Sequence, residues 1–278
     1  MAGDAKLRSR ITTLKSLNSI FSAMQVITVA KLSKVKEVHN SSKKYKAQMD
    51  AAVQMIGPAD EDKKIMTGGI AAVVITGDRG LCGTFNQDVL ARTQSFMTEH
   101  KGKPVKYFVF GRKGYDYLKS KKQDVADVFL SDYVDLENVA LLSDKIIDAH
   151  KSGELAETYL VYNHFHTMLK RRAVANRILP LENKNEHKGL LIKEPDEAAV
   201  RETAVKMHLK AQLFAALYES QQGILSARMV TLKSAIDNSK ELIDELIIKR
   251  NKSRQQMITQ EILEIVEASE AMKGEANG

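Results

Sequence analysis

The stretch that decides the fold runs from Asp196 to Lys273, and its central part, from Leu225 to Ile236, reads LSARMVTLKSAI. The whole stretch contains no proline and a single glycine, Gly223. Apolar residues recur every three or four positions among helix-forming Glu, Lys, Gln and Ala, which predicts one continuous amphipathic helix. At 1.5 Å per residue this helix would be roughly 110 Å long, so it must pair with another long helix or thread through a partner.

The N-terminal residues 4–56 also lack glycine and proline, and Gly57-Pro58 ends the helix that they predict. Their apolar residues follow the a/d spacing of a coiled coil. We therefore expect the two terminal helices to pair as a long antiparallel coiled coil, with the C-terminal helix projecting beyond its shorter mate. The predicted seam comprises Leu7, Ile11, Leu14, Leu17 and Phe21 on the first helix and Met229, Leu232, Ile236, Ile243 and Leu246 on the last.

Composition and charge narrow the functional classes. The chain is 44% hydrophobic and 28% charged, as in folded soluble proteins, while the 6% aromatic content is low, as is usual in a coiled coil. A single cysteine, Cys82, excludes an intramolecular disulfide and a multi-cysteine zinc site. No apolar run reaches eighteen residues, so no membrane span is predicted. The net charge of +7 is carried by residues 1–56, and it therefore concerns the partner of that segment.

Between Ile11 and Ala30 the only charged residue is Lys15, and Ser, Thr, Asn and Gln fill the remaining polar positions. Solvated helices usually carry charges on such faces. Either this stretch is an indifferent surface, or another protein encloses it and the helix turns or slides there.

The middle of the chain alternates between predicted strands and helices, which indicates a small doubly wound α/β domain inserted between the two long helices. The fold class is thus α/β, with a coiled coil around an inserted Rossmann-like domain. We expect an N-terminal helix at 1–57, the inserted domain at 69–181, a linker at 182–195, a C-terminal helix at 196–273 and a tail at 274–278. Within the inserted domain, the predicted strands are 70–76, 105–110, 125–130, 158–162 and 173–181, and the predicted helices are 86–100, 115–120 and 136–150.

One glycine-rich turn follows the first predicted strand, where phosphate-binding loops occur. Its spacing does not match the dinucleotide-binding fingerprint. It does not match the P-loop either, because the Lys and the following Ser or Thr of that motif are missing here. We therefore interpret it as a structural turn. Its residues are Gly77, Asp78, Arg79, Gly80, Cys82 and Gly83.

Other chemistry finds little support in the sequence. A nucleophilic Cys82 needs a base that no pattern supplies, so a small buried thiol is the commoner role. His164 and His166 face the same side of a strand, but a third metal ligand is not visible, which favours a polar strand end. The basic N-terminal helix has only two aromatic residues, Phe21 and Tyr45, too few for the aromatic interleaving of a nucleic-acid-binding surface. A nucleotide-binding enzyme and a basic coiled-coil nucleic-acid binder remain the alternative classes.

Several motifs together resemble the gamma subunit of F-type rotary ATP synthases. They are ARMVTLKSAIDN at 227–238, NKSRQQMITQEILEI at 251–265, TGDRGLCG at 76–83, and RSRI at 8–11 with Ala23-Met24. The resemblance covers essentially the whole chain. It implies a central rotor shaft that couples rotation of an ion-driven membrane ring to conformational changes at the catalytic sites of the beta subunits. It also implies that this chain itself carries no catalytic residues, cofactor or metal.

The implied partners are the alpha and beta subunits, the epsilon subunit and the membrane c-ring, with no nucleic acid and with membrane contact only through the complex. The implied location is the cytoplasmic side of a bacterial inner membrane, since no transit segment precedes the motifs; the alternative is the mitochondrial inner membrane. Arg254 and Gln255 are expected to bind carboxylates of a beta-subunit loop. The expected contacts with the alpha–beta hexamer are Met24, Arg254, Gln255, Ile258, Thr259, Glu261, Ile262 and Ile265.

Overall fold

The computed structural model describes residues 2–56, 68–130, 134–168, 170–181 and 196–275. The predicted linker 182–195, the helix stop at Gly57-Pro58 and the last residues of the predicted tail lie outside the described residues. The elements in chain order are α1 Ala2–Ile56, β1 Gly69–Ile75, α2 Phe85–Glu99, β2 Val105–Phe110, α3 Arg112–Ser120, β3 Val125–Phe129, α4 Leu136–Lys151, β4 Leu155–Phe165, β5 Arg171–Leu179 and α5 Glu197–Glu275.

The chain forms two compact units. The helical unit comprises Met1–Ile27 and Leu232–Gly278, and the α/β unit comprises Thr28–Thr231. Both long helices contribute to both units, so the α/β unit is larger than the range 69–181 predicted for the inserted domain. Among the described residues, no helix is long and apolar enough to cross a membrane.

The α/β unit contains one five-stranded sheet with the strand order β3-β2-β1-β4-β5. The first four strands are parallel, and β5 pairs antiparallel with β4. Parallel strands with helices on both faces form a doubly wound sheet, so the predicted fold class is confirmed.

Two elements differ from their predicted bounds by three residues at an end, whereas the other elements of the α/β domain agree within two residues. β4 is an 11-residue strand rather than the five residues predicted. Its start extends to the buried Leu155, which pairs with Gly69 of β1 although charged residues flank this end, and its last three residues pair with β5. α3 begins at Arg112, three residues earlier than predicted. Gly114 weakens the helical pattern there, but its backbone N–H donates a hydrogen bond to Thr76 Oγ1 at 2.8 Å, which holds the first turn in place.

The sheet buries apolar side chains on both faces because successive residues of β1 point to opposite sides. Ala71, Val73 and Ile75 pack in a cluster with α4 and with α5 residues such as Leu209 and Leu213. The alternate residues of β1 pack on the other face with α2 and α3, in a cluster that includes Phe85, Phe96 and Leu118. Part of α5 is therefore core of the α/β unit.

Gly223 of α5 lies directly against Phe85, the first residue of α2. A Cβ added at this position would lie 2.8 Å from Cε2 of Phe85, a side chain that is 0% exposed. Such a contact is shorter than atoms tolerate, so the close approach of the two helices requires glycine here. The single glycine of the long helical stretch thus has a packing role.

The helical unit contains an antiparallel pair of helices. Ile11 of α1 is buried together with Ile243 and Leu246 of α5. Further along α1, the Asn18 side-chain amide donates to the backbone oxygen of Ile236 at 3.4 Å. Because the α5 partner number falls as the α1 number rises, the helices run in opposite directions. Half-buried neighbours of this cluster are Leu7, Leu14, Leu242 and Ile247.

The other predicted seam residues differ in their burial. Leu232 and Ile236 are buried, whereas Phe21 and Met229 are half-buried. Leu17 is 39% exposed, so it contributes an apolar surface rather than a covered contact.

Candidate functional site

The distal segment of α5, residues 248–267, carries apolar side chains that its own unit leaves uncovered. Ile265, for example, is 68% exposed. Soluble proteins rarely leave contiguous apolar surface open unless it binds a partner. The exposed apolar side chains of this segment are Ile248, Ile258, Ile262, Leu263, Ile265 and Val266.

Some polar side chains of the distal segment are bonded within the helix itself. The Thr259 hydroxyl donates to the backbone oxygen of Gln255 at 3.0 Å, and the Gln260 amide donates to the Glu264 carboxylate at 3.0 Å. These two groups therefore have fewer bonds to offer a partner. The exposed apolar side chains lie among exposed charged ones, so the segment offers a partner both nondirectional apolar contact and charged groups.

Arg254 lies near the start of the distal segment. Its side chain is exposed, and it forms no ion pair with the residues that the structure describes. Gln255 and Glu261 are exposed as well. A guanidinium presents a fork of N–H donors that suits a carboxylate, so Arg254 is available for a bidentate contact with an acidic group.

A second exposed apolar surface lies on α1 and consists of Ile20, Val26 and Ile27. Val26 is 71% exposed. Met24, the α1 residue named by the family resemblance, is half-buried beside them. The sequence pattern pointed to the uncharged stretch 11–30 but not to these three side chains. These three residues lie within the nearly uncharged stretch but outside the predicted coiled-coil seam, and this combination is the sequence signal that would have identified them.

The hydroxyl groups of the same stretch bond to their own helix. Thr12, Ser16 and Ser22 donate to the backbone oxygens four residues earlier, at 3.1, 3.2 and 2.9 Å. Thr13 and Ser19 do the same. Side-chain hydroxyls that are already bonded present few directional donors, so this face of α1 offers a partner mainly apolar and weakly polar surface.

The glycine-rich turn is fixed by a residue that the sequence analysis did not single out, Asn86. Its side-chain oxygen accepts the Gly77 backbone N–H at 2.8 Å, and its nitrogen donates to Arg79 O and to Cys82 Sγ. Gly83 adopts a φ of +57°. Asp78 lies at the same edge of the sheet and accepts the Arg112 backbone N–H at 2.8 Å.

Cys82 is only 2% exposed, and burial raises the pKa of its thiol. A raised pKa leaves less of the nucleophilic thiolate at neutral pH. This environment suits a small buried side chain rather than a reactive one.

His164 and His166 lie together at the end of β4, with ring centroids 4.6 Å apart. His164 Nδ1 lies 2.6 Å from a carboxylate oxygen of Glu219, and the same oxygen accepts the Phe165 backbone N–H at 2.8 Å. Within the described part of the chain, no three His, Cys, Asp or Glu side chains are grouped to hold a metal ion. Glu219 of α5 was not singled out from sequence because it lies more than fifty residues from its partners.

This combination of elements defines a class of protein in which two long helices flank an inserted doubly wound α/β domain. A sequence model of the ATP synthase family matches residues 4–272. The ATP synthase gamma chain of Flavobacterium johnsoniae is 32% identical over 289 residues, which cover 99% of this chain and 100% of the relative. That of Rhizobium johnstonii is 31% identical over 291 residues, which cover 96% and 98%.

The fold has counterparts among solved structures. A chain of the Euglena gracilis mitochondrial ATP synthase, in the structure of OSCP, F1 and c-ring in rotational state 3, matches with a TM-score of 0.71 at 18% identity, covering 98% of this chain and 95% of that one. A rotor chain of the same synthase in rotational state 1 matches with a TM-score of 0.65 at 17% identity, covering 92% and 99%. The protein belongs to the ATP synthase gamma family, and the resemblance inferred from the motifs is confirmed.

Proposed function

We propose that this chain is the central rotor shaft of an F-type ATP synthase. Rotation of an ion-driven membrane ring turns the shaft, and the shaft imposes ordered conformational changes on the beta-subunit catalytic sites, which make ATP or hydrolyse it in reverse. The chain takes part without catalytic residues, metal or cofactor of its own. The observation that carries this proposal is the exposed apolar surface of the distal segment of α5.

An apolar distal segment suits rotation inside a protein sleeve. Hydrophobic contact is nondirectional, so its free energy changes little as one surface turns against another. Hydrogen bonds, by contrast, are lost when donor and acceptor rotate out of line. The uncharged face of α1, with its internally bonded hydroxyls, supports the same interpretation for the shorter helix.

Arg254 and Gln255 supply the directional part of the contact. A bidentate pair between the Arg254 guanidinium and a beta-subunit carboxylate would form at particular angles of the shaft. A ligand shifts a conformational equilibrium only by the difference in its affinity for the two states. An asymmetric shaft that meets each beta subunit in turn with a different surface would supply that difference.

The partners that follow are the alpha and beta subunits around the helices, with the epsilon subunit and the c-ring at the α/β unit. We place the protein at the cytoplasmic face of a bacterial inner membrane, held there through the complex. The family membership and the identity to bacterial gamma chains support this location.

Reconstitution tests the proposal directly. The purified chain is mixed with the alpha and beta subunits of its source, separated by size exclusion, and assayed for ATP hydrolysis. We expect one large complex whose ATPase activity requires this chain. An alpha–beta mixture that assembles and hydrolyses ATP equally well without the chain, while the chain elutes alone, would overturn the proposal.

A further inference from the structure

A cavity of about 90 Å³ lies within the α/β unit at the carboxyl ends of the parallel strands. The cavity is lined by the last residues of β1, β2 and β3, which are Ile75, Phe110 and Phe129. Residues of α5 between Leu217 and Arg228 line it as well. In open α/β sheets, ligands bind in the crevice outside the carboxyl ends of the strands. The rotor function proposed above makes no use of this cavity.

Ser220 on the α5 side of the cavity is 1% exposed, and its hydroxyl has no hydrogen-bond partner among the described residues. Hydroxyls elsewhere on α5 behave differently, because Thr231 and Ser239 donate to the carbonyl four residues earlier at 3.0 and 2.6 Å. A buried hydroxyl without a partner costs free energy. The Ser220 hydroxyl is therefore free to bond to a molecule in the cavity, either water or a ligand.

Arg228 provides a second unused donor. Its Nε atom is buried and has no acceptor within the described residues, although the side chain lines the cavity. Lys31 of α1 lines it too. A buried Nε–H without an acceptor can donate to one oxygen of an oxyanion while a terminal N–H of the same guanidinium donates to a second oxygen.

Two carboxylates also line the cavity, but both already accept backbone hydrogen bonds. Asp78 accepts the Arg112 N–H at 2.8 Å, and Asp135 accepts the Glu137 N–H at 3.0 Å, where it caps α4. Neither carboxylate pairs with the Arg228 Nε. Their charges balance those of Lys31 and Arg228, so a singly charged anion suits the site better than a doubly charged one.

The volume limits the guest. One water molecule needs about 10–15 Å³ of such space, so the cavity has room for several waters and hence for an anion of four or five heavy atoms. Ligand pockets for larger molecules such as nucleotides are several times this size, about 300–1,000 Å³. We infer that the cavity is a binding site for a small tetrahedral oxyanion, held by the Arg228 guanidinium and the Ser220 hydroxyl.

Inorganic phosphate is the probe for this site. Isothermal titration calorimetry of the full chain at about pH 6, where inorganic phosphate is mainly the singly charged H2PO4⁻, should detect one phosphate site, with doubly charged sulfate binding more weakly. Arg228→Gln should weaken phosphate binding by roughly tenfold or more, and Ser220→Ala by about threefold, as expected for a charged and a weaker hydrogen bond. The matched control is Arg250→Gln on the same helix, which lies outside the cavity and should leave binding unchanged.

A second measurement separates lost binding from lost folding. Phosphate should raise the melting temperature of the wild type and of Arg250→Gln, but not that of Arg228→Gln, whose folded state is checked by circular dichroism. Arg228→Lys keeps the positive charge but loses the two parallel N–H donors of the guanidinium, so it should retain weak phosphate binding. This variant replaces Arg228→Gln in the test if Arg228→Gln does not fold. If the cavity holds only water, the wild type will show no phosphate binding up to about 10 mM, and this result would overturn the inference. An unchanged phosphate affinity in both Arg228→Gln and Ser220→Ala would overturn it as well.

Discussion

At the scale of single residues, Gly223 offers a sharp test of how α5 packs in the α/β unit. Gly223→Ala adds helix propensity worth about 1 kcal/mol, but its methyl group would lie 2.8 Å from the buried Phe85 ring. Overpacking of this kind costs about 1–3 kcal/mol. We therefore expect Gly223→Ala to lower the free energy of unfolding, measured by urea titration, despite its better propensity.

A double-mutant cycle provides the control. Phe85→Leu removes the ring atoms that meet the new methyl group, so Gly223→Ala should cost less in the Phe85→Leu background than in the wild type. Equal costs in both backgrounds would mean that the clash is relieved elsewhere and that the close approach does not require glycine.

Arg254 is the residue on which the directional contact of the proposed shaft depends. Because the side chain is exposed, Arg254→Ala should leave the stability of the isolated chain within about 0.5 kcal/mol. In the reconstituted synthase we expect coupled ATP synthesis to fall by roughly tenfold, the equivalent of one charge-assisted hydrogen bond. Arg254→Lys should retain part of the activity, since an ammonium keeps the charge but lacks the fork.

The exposed neighbour Lys252 supplies the control for charge. Lys252→Ala removes one positive charge from the same turn and should leave synthesis close to the wild-type rate. If Arg254→Ala also synthesises ATP at that rate, the assigned contact is wrong.

At the scale of elements, α1, β4 and α5 meet around His39. Burial lowers the pKa of His39 from its ordinary value of 6.5; Glu219 of α5 acts in the opposite direction, and Lys43 of α1 and His164 of β4 add to the lowering. His166 lies beside His164. The lowered pKa favours the neutral form of His39 where these elements join.

The sign of the pH dependence follows from this lowering. Below pH 6.5 the unfolded chain binds a proton at His39 more readily than the folded chain does. The stability contributed by neutral His39 is therefore complete above pH 6.5, and it is lost as the pH falls through the lower pKa of the folded state. Urea midpoints at pH 7.5, 6.5 and 5.5 should fall less steeply in His39→Gln than in the wild type. Asn40→Gln gives the control, since it exchanges one exposed amide of α1 for another and should keep the wild-type slope. An unchanged slope in His39→Gln would contradict the expectation.

The uncovered face of α1 leads to a prediction about assembly. Val26 is exposed in the isolated chain, so Val26→Glu should not change its stability by more than about 0.5 kcal/mol. Inside an apolar sleeve the same carboxylate would be desolvated at high cost. We expect Val26→Glu to reduce the yield of active complex with alpha and beta subunits, while Ala47→Glu, which adds the same charge to an exposed site on α1, should not. Equal yields would show that solvent, rather than a partner, covers Val26.

At the scale of the whole molecule, local signals predicted the elements well, and long-range contacts escaped them. The two long helices follow from the absence of proline and glycine, and β2 was predicted with its observed bounds because its apolar run is flanked by turn residues. The extension of β4 was missed, since charged residues flank its buried Leu155 and Ala156. The sequence pattern shows where charged residues lie along the chain, but it does not show which distant residues will bury a given side chain.

The candidate site shows the same limit. Asn86, which fixes the glycine turn, and Glu219, which accepts hydrogen bonds at the end of β4, act on partners that only the fold brings near. The roles of Arg254 and Gln255 came from the family resemblance and stay predictions. Burial added what no spacing could show, namely that Ile20, Val26 and Ile27 are uncovered.

The burial of Cys82 has a practical consequence for observing the motor at work. It is the only thiol of the chain, and with 2% exposure and a raised pKa it should react slowly with maleimide reagents until the chain unfolds. A cysteine introduced on the surface of the α/β unit, for example Lys101→Cys, would then be the single fast-reacting position, which thiol titration with and without urea can verify. A fluorophore or gold bead could be attached there without removing the native thiol, and turning of the chain could be followed one molecule at a time.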